Sequence, residues 1–372
     1  MTDEDVKHTR QYSGKKELFR VGQYDPFARG QFPVGVRTIE AFDTARDRLF
    51  PCEIWYPATV QHTGQDTTSD TQDFFTIPSY NITRSQMAVR NAAVQPGTYP
   101  LIIFSHPSGN HRRTATFLCT HLSSHGYIVT ALDHSEVVAN ALARKDGETD
   151  KQKSIRWEAV IASRVPDTCF LLDHILNSAA WDSEINFAPN QIGIVGHSFG
   201  GWTALATTDV DRRIRAVVAL APGGSSQPRP GILPGKLNFS WGRDVPTLYL
   251  VAEHDTSLPL AGMYEIFERT PATKQMVILR QADHMHFMDD VKIMHEAFRT
   301  MPLTGDLAEI QKEMRPIAEL CSSEQAHLFI RGLTLCHMDA ILRQQEEAQQ
   351  FLLGDIEAEL AVRGVDVIVH KP

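Results

Sequence analysis

Cysteine, positive charge and long hydrophobic runs are all scarce in this sequence of 372 residues. Its five cysteines are widely spaced with no C-x-x-C pair, which argues against a disulfide framework or a cysteine metal site. The formal net charge of −9 argues against a nucleic-acid partner, because such proteins usually present a basic face. No run approaches the ~18 apolar residues that cross a bilayer, so no membrane span is predicted.

The N-terminus lacks the features of a secretory signal. It begins Met-Thr-Asp-Glu-Asp, which is acidic, and no basic start or apolar run follows. We therefore expect a cytoplasmic location. Residues 1–34 are polar with scattered glycine and proline, and they are predicted to form an N-terminal arm.

Short apolar runs alternate with helical patterns between residues 100 and 300. Runs at 100–105, 127–132 and 191–196 have the uninterrupted apolar character of strands buried on both faces of a parallel sheet. Three more runs follow, at 214–220, 247–251 and 275–279, and helical spacing fills the gaps. This alternation predicts an α/β protein with a mostly parallel, doubly wound sheet, and two early strands at 36–42 and 48–56 extend it.

The same pattern divides the chain into regions. Residues 35–303 are predicted to form the main α/β domain, and a charged insertion at 134–156 could act as a lid over it. Residues 57–98 are polar with little periodicity and are expected to form a long surface loop, with room for a short helix. Residues 304–372 show helical spacing and are expected to form a C-terminal extension packed on the domain.

A G-x-S-x-G motif stands directly between a predicted strand and a predicted helix. It reads Gly196-His197-Ser198-Phe199-Gly200. So sharp a turn exposes the Ser198 hydroxyl and leaves no room for side chains at positions 196 and 200. Ser198 is therefore the candidate nucleophile.

A serine hydroxyl needs a base to take its proton and an acid to orient that base. In this type of fold they follow the nucleophile in the order acid, then histidine, each after a strand. Asp255 follows the strand at 247–251 and is the candidate acid, with Glu253 as the alternative. His284 follows the strand at 275–279 and is the candidate base, with His286 as its competitor.

Acyl transfer also needs two N–H donors for the developing oxyanion. One is expected from Phe199, next to the nucleophile, and the other from the loop after the strand at 100–105. Pro107 in that loop has no N–H, so Ser108 is the candidate, although the same residues would also suit a plain β-turn. His134 and His197 flank this region and could line the site.

The motifs at 104–109, 125–129 and 196–201 resemble those of the platelet-activating-factor acetylhydrolase and predicted dienelactone-hydrolase branch of the α/β-hydrolases. The stretches 164–176 and 284–287 are similar too. The resemblance implies ester hydrolysis through an acyl-enzyme, with no metal or cofactor. The sequence departs from the family at Ser-His-Pro, where Ser-His-Gly is usual. It also has no carboxylate at 218–222, where the acetylhydrolases carry their acid, and it has serine where dienelactone hydrolases use cysteine.

Three functions remain open from the sequence. The leading one is a serine carboxylic-ester hydrolase that acts on short- to medium-chain acyl esters. The second uses the same triad to cleave polyesters or amides or to transfer acyl groups. The third is a binding protein that keeps the fold but catalyses no reaction. The first two share a small-molecule or polymeric ester or amide as substrate.

Overall fold

The computed structural model describes residues 24–77, 82–145, 147–177 and 185–371. Residues 1–23 of the predicted arm and Asp146 of the predicted insertion lie outside these ranges. Within them, the strands in chain order are β1 (Val34–Asp43), β2 (Arg48–Pro57), β3 (Asp73–Ile77), β4 (Ile82–Gln86), β5 (Val89–Arg90), β6 (Gly97–Ser105), β7 (Ile128–Leu132), β8 (Ile185–His197), β9 (Ile214–Leu220), β10 (Thr247–Ala252), β11 (Lys274–Leu279) and β12 (Val367–His370).

Most of these strands form one large sheet. In the described part of the chain its order is β12-β11-β10-β9-β8-β6-β7-β2-β1-β5, while β3 and β4 form a separate hairpin. The strands from β11 through β7 are mutually parallel, whereas β2 and β12 pair antiparallel with their neighbours. The mostly parallel α/β sheet predicted from the sequence is confirmed.

Helices cover both faces of the sheet. They are α1 (Thr116–Ser124), α2 (Ser135–Val138), α3 (Asp150–Asn177), α4 (Phe199–Val210), α5 (Leu260–Arg269), α6 (Val291–Thr300), α7 (Asp306–Lys312), α8 (Ser323–Leu342), α9 (Glu346–Leu353) and α10 (Ile356–Ala361). Helices α3, α4 and α5 contribute to one core, and α1, α8 and α9 contribute to the other. Among the described helices, none is both long enough and apolar enough to cross a membrane.

Alternate side chains of one strand show that the sheet is buried on both faces. In β6, Leu101 and Ile103 face the core under α3, while Ile102 and Phe104 face the core under α8. All four side chains are almost completely buried. A strand of this kind must be apolar throughout, which explains the uninterrupted run in the sequence.

Two regions differ from the expected organisation. The segment 57–98, expected as a surface loop, contains the β3–β4 hairpin and the edge strand β5. The C-terminal extension contains the expected helices, but its end forms β12 and pairs antiparallel with β11. The extension therefore contributes a strand to the sheet as well as helices to its face.

Candidate active site

The nucleophile candidate sits at a sharp turn between β8 and α4. Ser198 has φ 60° and ψ −118°, a left-handed backbone conformation that costs a non-glycine residue about 1–3 kcal/mol. The surrounding main chain holds it there. The Ser198 N–H donates to the Leu220 carbonyl oxygen at 2.9 Å, and the Ser198 carbonyl oxygen accepts from the Gly223 N–H at 3.0 Å. The hydroxyl is thereby presented at the carboxyl edge of the sheet.

The two glycines of the motif are required by close packing. A Cβ added to Gly196 would lie 2.0 Å from the Gly200 carbonyl oxygen, and one added to Gly200 would lie 2.0 Å from the Ser105 carbonyl oxygen. Both clashes are with main chain, which cannot move aside as a flexible side chain could. The second contact also brings α4 against the end of β6, where the loop with Ser108 begins.

A chain of hydrogen bonds links Ser198 to a histidine and a carboxylate. His284 Nε2 lies 2.8 Å from Ser198 Oγ, and His284 Nδ1 lies 2.6 Å from Asp255 Oδ2. Asp255 is fixed in turn, because its Oδ1 accepts from the N–H groups of Ser257 at 2.9 Å and Leu258 at 2.7 Å. This arrangement places a proton on Nδ1 and leaves Nε2 free to accept the serine proton.

The carboxylate also sets the basicity of the histidine. Burial alone would lower the pKa of His284, but attraction to the Asp255 carboxylate and their hydrogen bond outweigh burial and raise it. Parallel strands explain the meeting of the three side chains, since Asp255 follows β10, Ser198 follows β8 and His284 follows β11 at one edge of the sheet.

The competing residues lie elsewhere. Glu253 Oε2 accepts from the Gln281 N–H at 2.9 Å and does not contact His284. His286 is buried, with Nδ1 2.8 Å from Asp283 Oδ1 and Nε2 3.1 Å from the Cys321 carbonyl oxygen. Although burial opposes it, the bond to Asp283 raises the pKa of His286 to about 10. The structure thus brings Ser198, Asp255 and His284 together and leaves Glu253 and His286 out.

The two oxyanion candidates lie at the same edge of the sheet. Ser108 is exposed at the turn after β6, and Phe199 is the first residue of α4, where helix N–H groups have no partner within the helix. Neither N–H donates to another main-chain group of the described residues. Both N–H groups therefore remain candidates for an oxyanion hole.

The two flanking histidines are buried beside the site. His197 is fully buried against His284, with ring centroids 4.8 Å apart. His134 is buried behind the Ser108 loop, 2.8 Å from Ser105 Oγ and 3.3 Å from Asp167 Oδ2. Burial lowers the pKa of both rings, so they are packed as neutral groups.

A cluster of buried polar side chains lies behind this loop and was not predicted from the sequence. We call Ser105, His106, His134, Arg164 and Asp167 the inner polar cluster; all five residues are almost completely buried. Its signal in the sequence was a pair of charges on the inner face of α3. Buried positions recur along that helix at 160, 164, 167, 171 and 175, and two of them are charged.

The cysteines play no part in the site. Burial raises the pKa of Cys52 to about 12 and of Cys169 to about 11, so neither thiol ionises near neutral pH. Among the described residues, no group of three or more His, Cys, Asp or Glu side chains is placed to hold a metal ion.

Comparison with solved structures decides the fold. The ferulic acid esterase from Streptomyces cinnamoneus aligns with a TM-score of 0.60 and 23% sequence identity, over 86% of this chain and 93% of that one. The chain has an α/β-hydrolase fold. Its sequence resembles the acetylhydrolases: the family model described as platelet-activating factor acetylhydrolase, isoform II, matches residues 26–169 of this chain.

Curated relatives agree with that resemblance at low identity. The platelet-activating factor acetylhydrolase of Gallus gallus is 23% identical over 54% of this chain and 56% of its own length. Cutinase est1 of Thermobifida alba is 24% identical over 52% of this chain and 55% of its own length. The chain therefore spans about half the length of the curated relatives it matches.

Proposed function

We propose that this α/β-hydrolase is a serine carboxylic-ester hydrolase that works through an acyl-enzyme. The observation that carries the proposal is the hydrogen-bond chain from Ser198 Oγ to His284 Nε2 and from His284 Nδ1 to Asp255 Oδ2. The names of its relatives, acetylhydrolase, cutinase and ferulic acid esterase, support ester hydrolysis.

Each residue has one task in the proposed acylation. His284 takes the Ser198 proton at Nε2 as Oγ bonds to the ester carbonyl carbon, and the carbonyl π electrons move to oxygen. The N–H groups of Ser108 and Phe199 bind that oxyanion. When the tetrahedral intermediate collapses, the bond to the alcohol oxygen breaks and His284 gives its proton to the leaving alcohol.

Deacylation repeats these steps with water. His284 takes a proton from the water molecule, whose oxygen bonds to the acyl carbon, and the Ser198 oxygen leaves and recovers the proton. Asp255 keeps the imidazole oriented throughout and stabilises its charged form. The reaction requires neutral His284 at the start of each half, so activity is expected to rise with pH through the pKa of this residue.

A cavity next to the loops that hold Ser198 and Asp255 bears on the substrate class. It has a volume of about 360 Å³, lies between the loop after β9 and the start of α5, and is lined mostly by residues of the segments 224–229 and 257–263; Ser198, Asp255 and His284 are not among its lining residues. Its size lies at the lower end of small-molecule sites. Because Gly223 bonds to Ser198 and the lining residue Ser257 bonds to Asp255, we assign this cavity to a short or medium acyl or alcohol group.

Polyester hydrolysis is the second candidate, favoured by the likeness to a cutinase. The acetylhydrolases' substrate is a less well supported candidate for this chain. The carboxylate that contacts His284 is that of Asp255, after β10, and the loop after β9 supplies none. The predicted cytoplasmic location, amide cleavage and acyl transfer stay predictions from the sequence.

The proposal is tested with p-nitrophenyl esters of increasing acyl length and with a fluorophosphonate probe. We expect hydrolysis of the shorter esters, probe labelling at Ser198, and loss of both in Ser198→Ala. Folded wild-type protein that neither hydrolyses esters nor reacts with the probe would contradict the proposal and favour a binding protein. Soluble products from a polyester film would select the second candidate, and a p-nitroanilide series tests amides.

A further inference from the structure

Arg164 of helix α3 is a fully buried cation that touches both sides of the proposed oxyanion hole. Its Nη1 donates to the His106 carbonyl oxygen at 2.7 Å and its Nη2 to the Pro107 carbonyl oxygen at 3.2 Å. Its guanidinium carbon also lies 4.6 Å from the centre of the Phe199 ring. One side chain therefore contacts the loop that carries Ser108 and the residue that supplies the second N–H.

The contact with Pro107 bears directly on the Ser108 N–H. The Pro107 carbonyl and the Ser108 N–H belong to one peptide unit, which is planar and trans, so the two groups point in opposite directions. Anchoring the carbonyl in the interior thus aims the N–H outward. A cation on the carbonyl oxygen also polarises the peptide unit, which makes its N–H a stronger donor.

Two further donors converge on the same carbonyl oxygen. His106 Nδ1 lies 2.7 Å from the Pro107 oxygen, and the Asn110 N–H lies 3.3 Å from it. His106 Nε2 accepts from the His134 N–H at 3.0 Å, so the ring proton is on Nδ1 and points at the Pro107 oxygen. The neutral form is stable here because burial and the Arg164 charge lower the pKa of His106 well below its usual range.

The counter-ion of Arg164 comes from the charged insertion. Glu136, in the short helix α2, forms an ion pair with Arg164, and its carboxylate is almost completely buried. Burying both charges costs several kcal/mol per ion unless the pair and its hydrogen bonds compensate. An apolar side chain would fill the same place on α3 at lower cost, so the charge points to a task beyond packing.

We propose that Arg164 is a positioning residue of the oxyanion hole, which holds the Ser108 peptide and the Phe199 ring in place and is itself held by Glu136. This inference rests on the proposed ester-hydrolase function. It assigns a task to the segment 134–156 as well: the segment supplies the carboxylate that fixes Arg164, and so its placement bears on the donor geometry beside Ser198.

The main test is Arg164→Lys. Lysine keeps the charge next to Glu136 but has one ammonium group, which cannot reach two carbonyl oxygens and stack on Phe199 with the planar geometry of arginine. Because loss of one oxyanion donor costs about 10²–10³ in kcat, we expect a misaimed donor to lower kcat by about 10–100-fold, with KM nearly unchanged. Affinity for a trifluoromethyl ketone that forms a tetrahedral adduct on Ser198 is expected to fall by the same factor as kcat/KM.

Arg243→Lys is the matched control. Arg243 also donates to main-chain carbonyls, to Ile214 at 2.5 Å, Thr208 at 3.0 Å and Asp211 at 2.9 Å. These carbonyls lie at the end of α4 and the start of β9, at the opposite edge of the sheet from Ser198. This variant is expected to lose stability and to keep kcat and inhibitor affinity within about twofold of the wild type, since it touches no oxyanion donor.

Glu136→Gln gives a second, milder variant that keeps the size and a hydrogen-bond acceptor, and it is expected to lower kcat by at least about threefold. The inference is overturned if the Arg164 and Glu136 variants match Arg243→Lys in kcat and inhibitor affinity while the wild type hydrolyses esters. Wild-type protein without ester hydrolysis or Ser198 labelling would instead remove the proposed function, and this inference with it.

Discussion

Asp255→Asn is the substitution that tests the assignment of the acid most directly. The asparagine oxygen can still accept from the N–H groups of Ser257 and Leu258, so the loop is expected to keep its shape. Its NH2 group would then face His284 Nδ1, 2.6 Å away in the wild type, and would force that nitrogen to accept. The proton would move to Nε2, where it points at Ser198 and prevents the ring from acting as a base.

The magnitude follows from losing the correct tautomer. The equivalent change in another Ser-His-Asp enzyme lowers kcat by about 10⁴, and we expect a similar loss here. This corresponds to about 5 kcal/mol of transition-state stabilisation. Burial disfavours the charged imidazole, and in the variant the Asp255 carboxylate no longer opposes it. The residual activity should therefore begin to rise at a lower pH than in the wild type, whose His284 has a raised pKa.

The assay is kcat/KM for a p-nitrophenyl ester between pH 5 and 9, with Glu253→Gln as the matched control. Glu253 bonds to the Gln281 N–H and is 3.5 Å from His254, so its loss should leave the rate within about twofold. The reasoning is refuted if Asp255→Asn stays within tenfold of the wild type, or if the Glu253 variant is the inactive one. Circular dichroism of both variants checks that each is folded.

Three further predictions concern positions around the site. His286→Asn should retain at least about a tenth of wild-type kcat, because His286 bonds to Asp283 and not to the nucleophile; a kcat as low as that of Ser198→Ala would contradict this. Gly200→Ala should lower the free energy of unfolding by more than about 4 kcal/mol in urea melts, since its Cβ meets main chain at 2.0 Å, whereas Gly223→Ala has ordinary contacts and should cost far less. Asp289 caps helix α1, and burial raises its pKa to about 6. A carboxyl group whose pKa is higher in the folded state stabilises the fold at low pH, and this stabilisation is lost as the pH rises through the folded-state pKa. Raising the pH from 5 to 7.5 should therefore reduce the free energy of unfolding of the wild type by about 1 kcal/mol more than that of Asp289→Asn. Equal pH dependence of the two proteins would contradict this prediction.

Much of the fold could be read from the sequence because burial on both faces leaves a strong signal. Strands β6, β7 and β8 each contain a buried, mostly apolar stretch, at 100–104, 128–132 and 192–196, and the G-x-S-x-G motif marks the point where a strand turns into a helix. The β3–β4 hairpin and β12 left no such signal. They are only four or five residues long, and only four of their fourteen side chains are buried, so their composition resembles that of a loop.

The triad candidates could be narrowed from order and spacing, which favoured Asp255 over Glu253 and His284 over His286. Asp255 and Glu253 are two residues apart in one loop, and so are His284 and His286, so the sequence left both alternatives open. What separates them is the direction in which the loop presents each side chain, and that direction depends on contacts such as the bond from Gln281 to Glu253. Such contacts join distant segments and leave no local pattern.

The inner polar cluster is a different case. Its charged residues are visible in the sequence, but no prediction was made from them. A helix that packs on a sheet normally carries apolar residues at its buried positions, and α3 does so at Val160, Leu171 and Ile175. Arg164 and Asp167 interrupt that stripe without shortening the helix. A charge at such a position must have partners from other segments, since an unpaired buried charge would cost more than the helix could gain by packing. A charged residue in phase with an apolar stripe therefore predicts a polar cluster beneath the helix, and here that cluster lies directly behind the loop that carries Ser108.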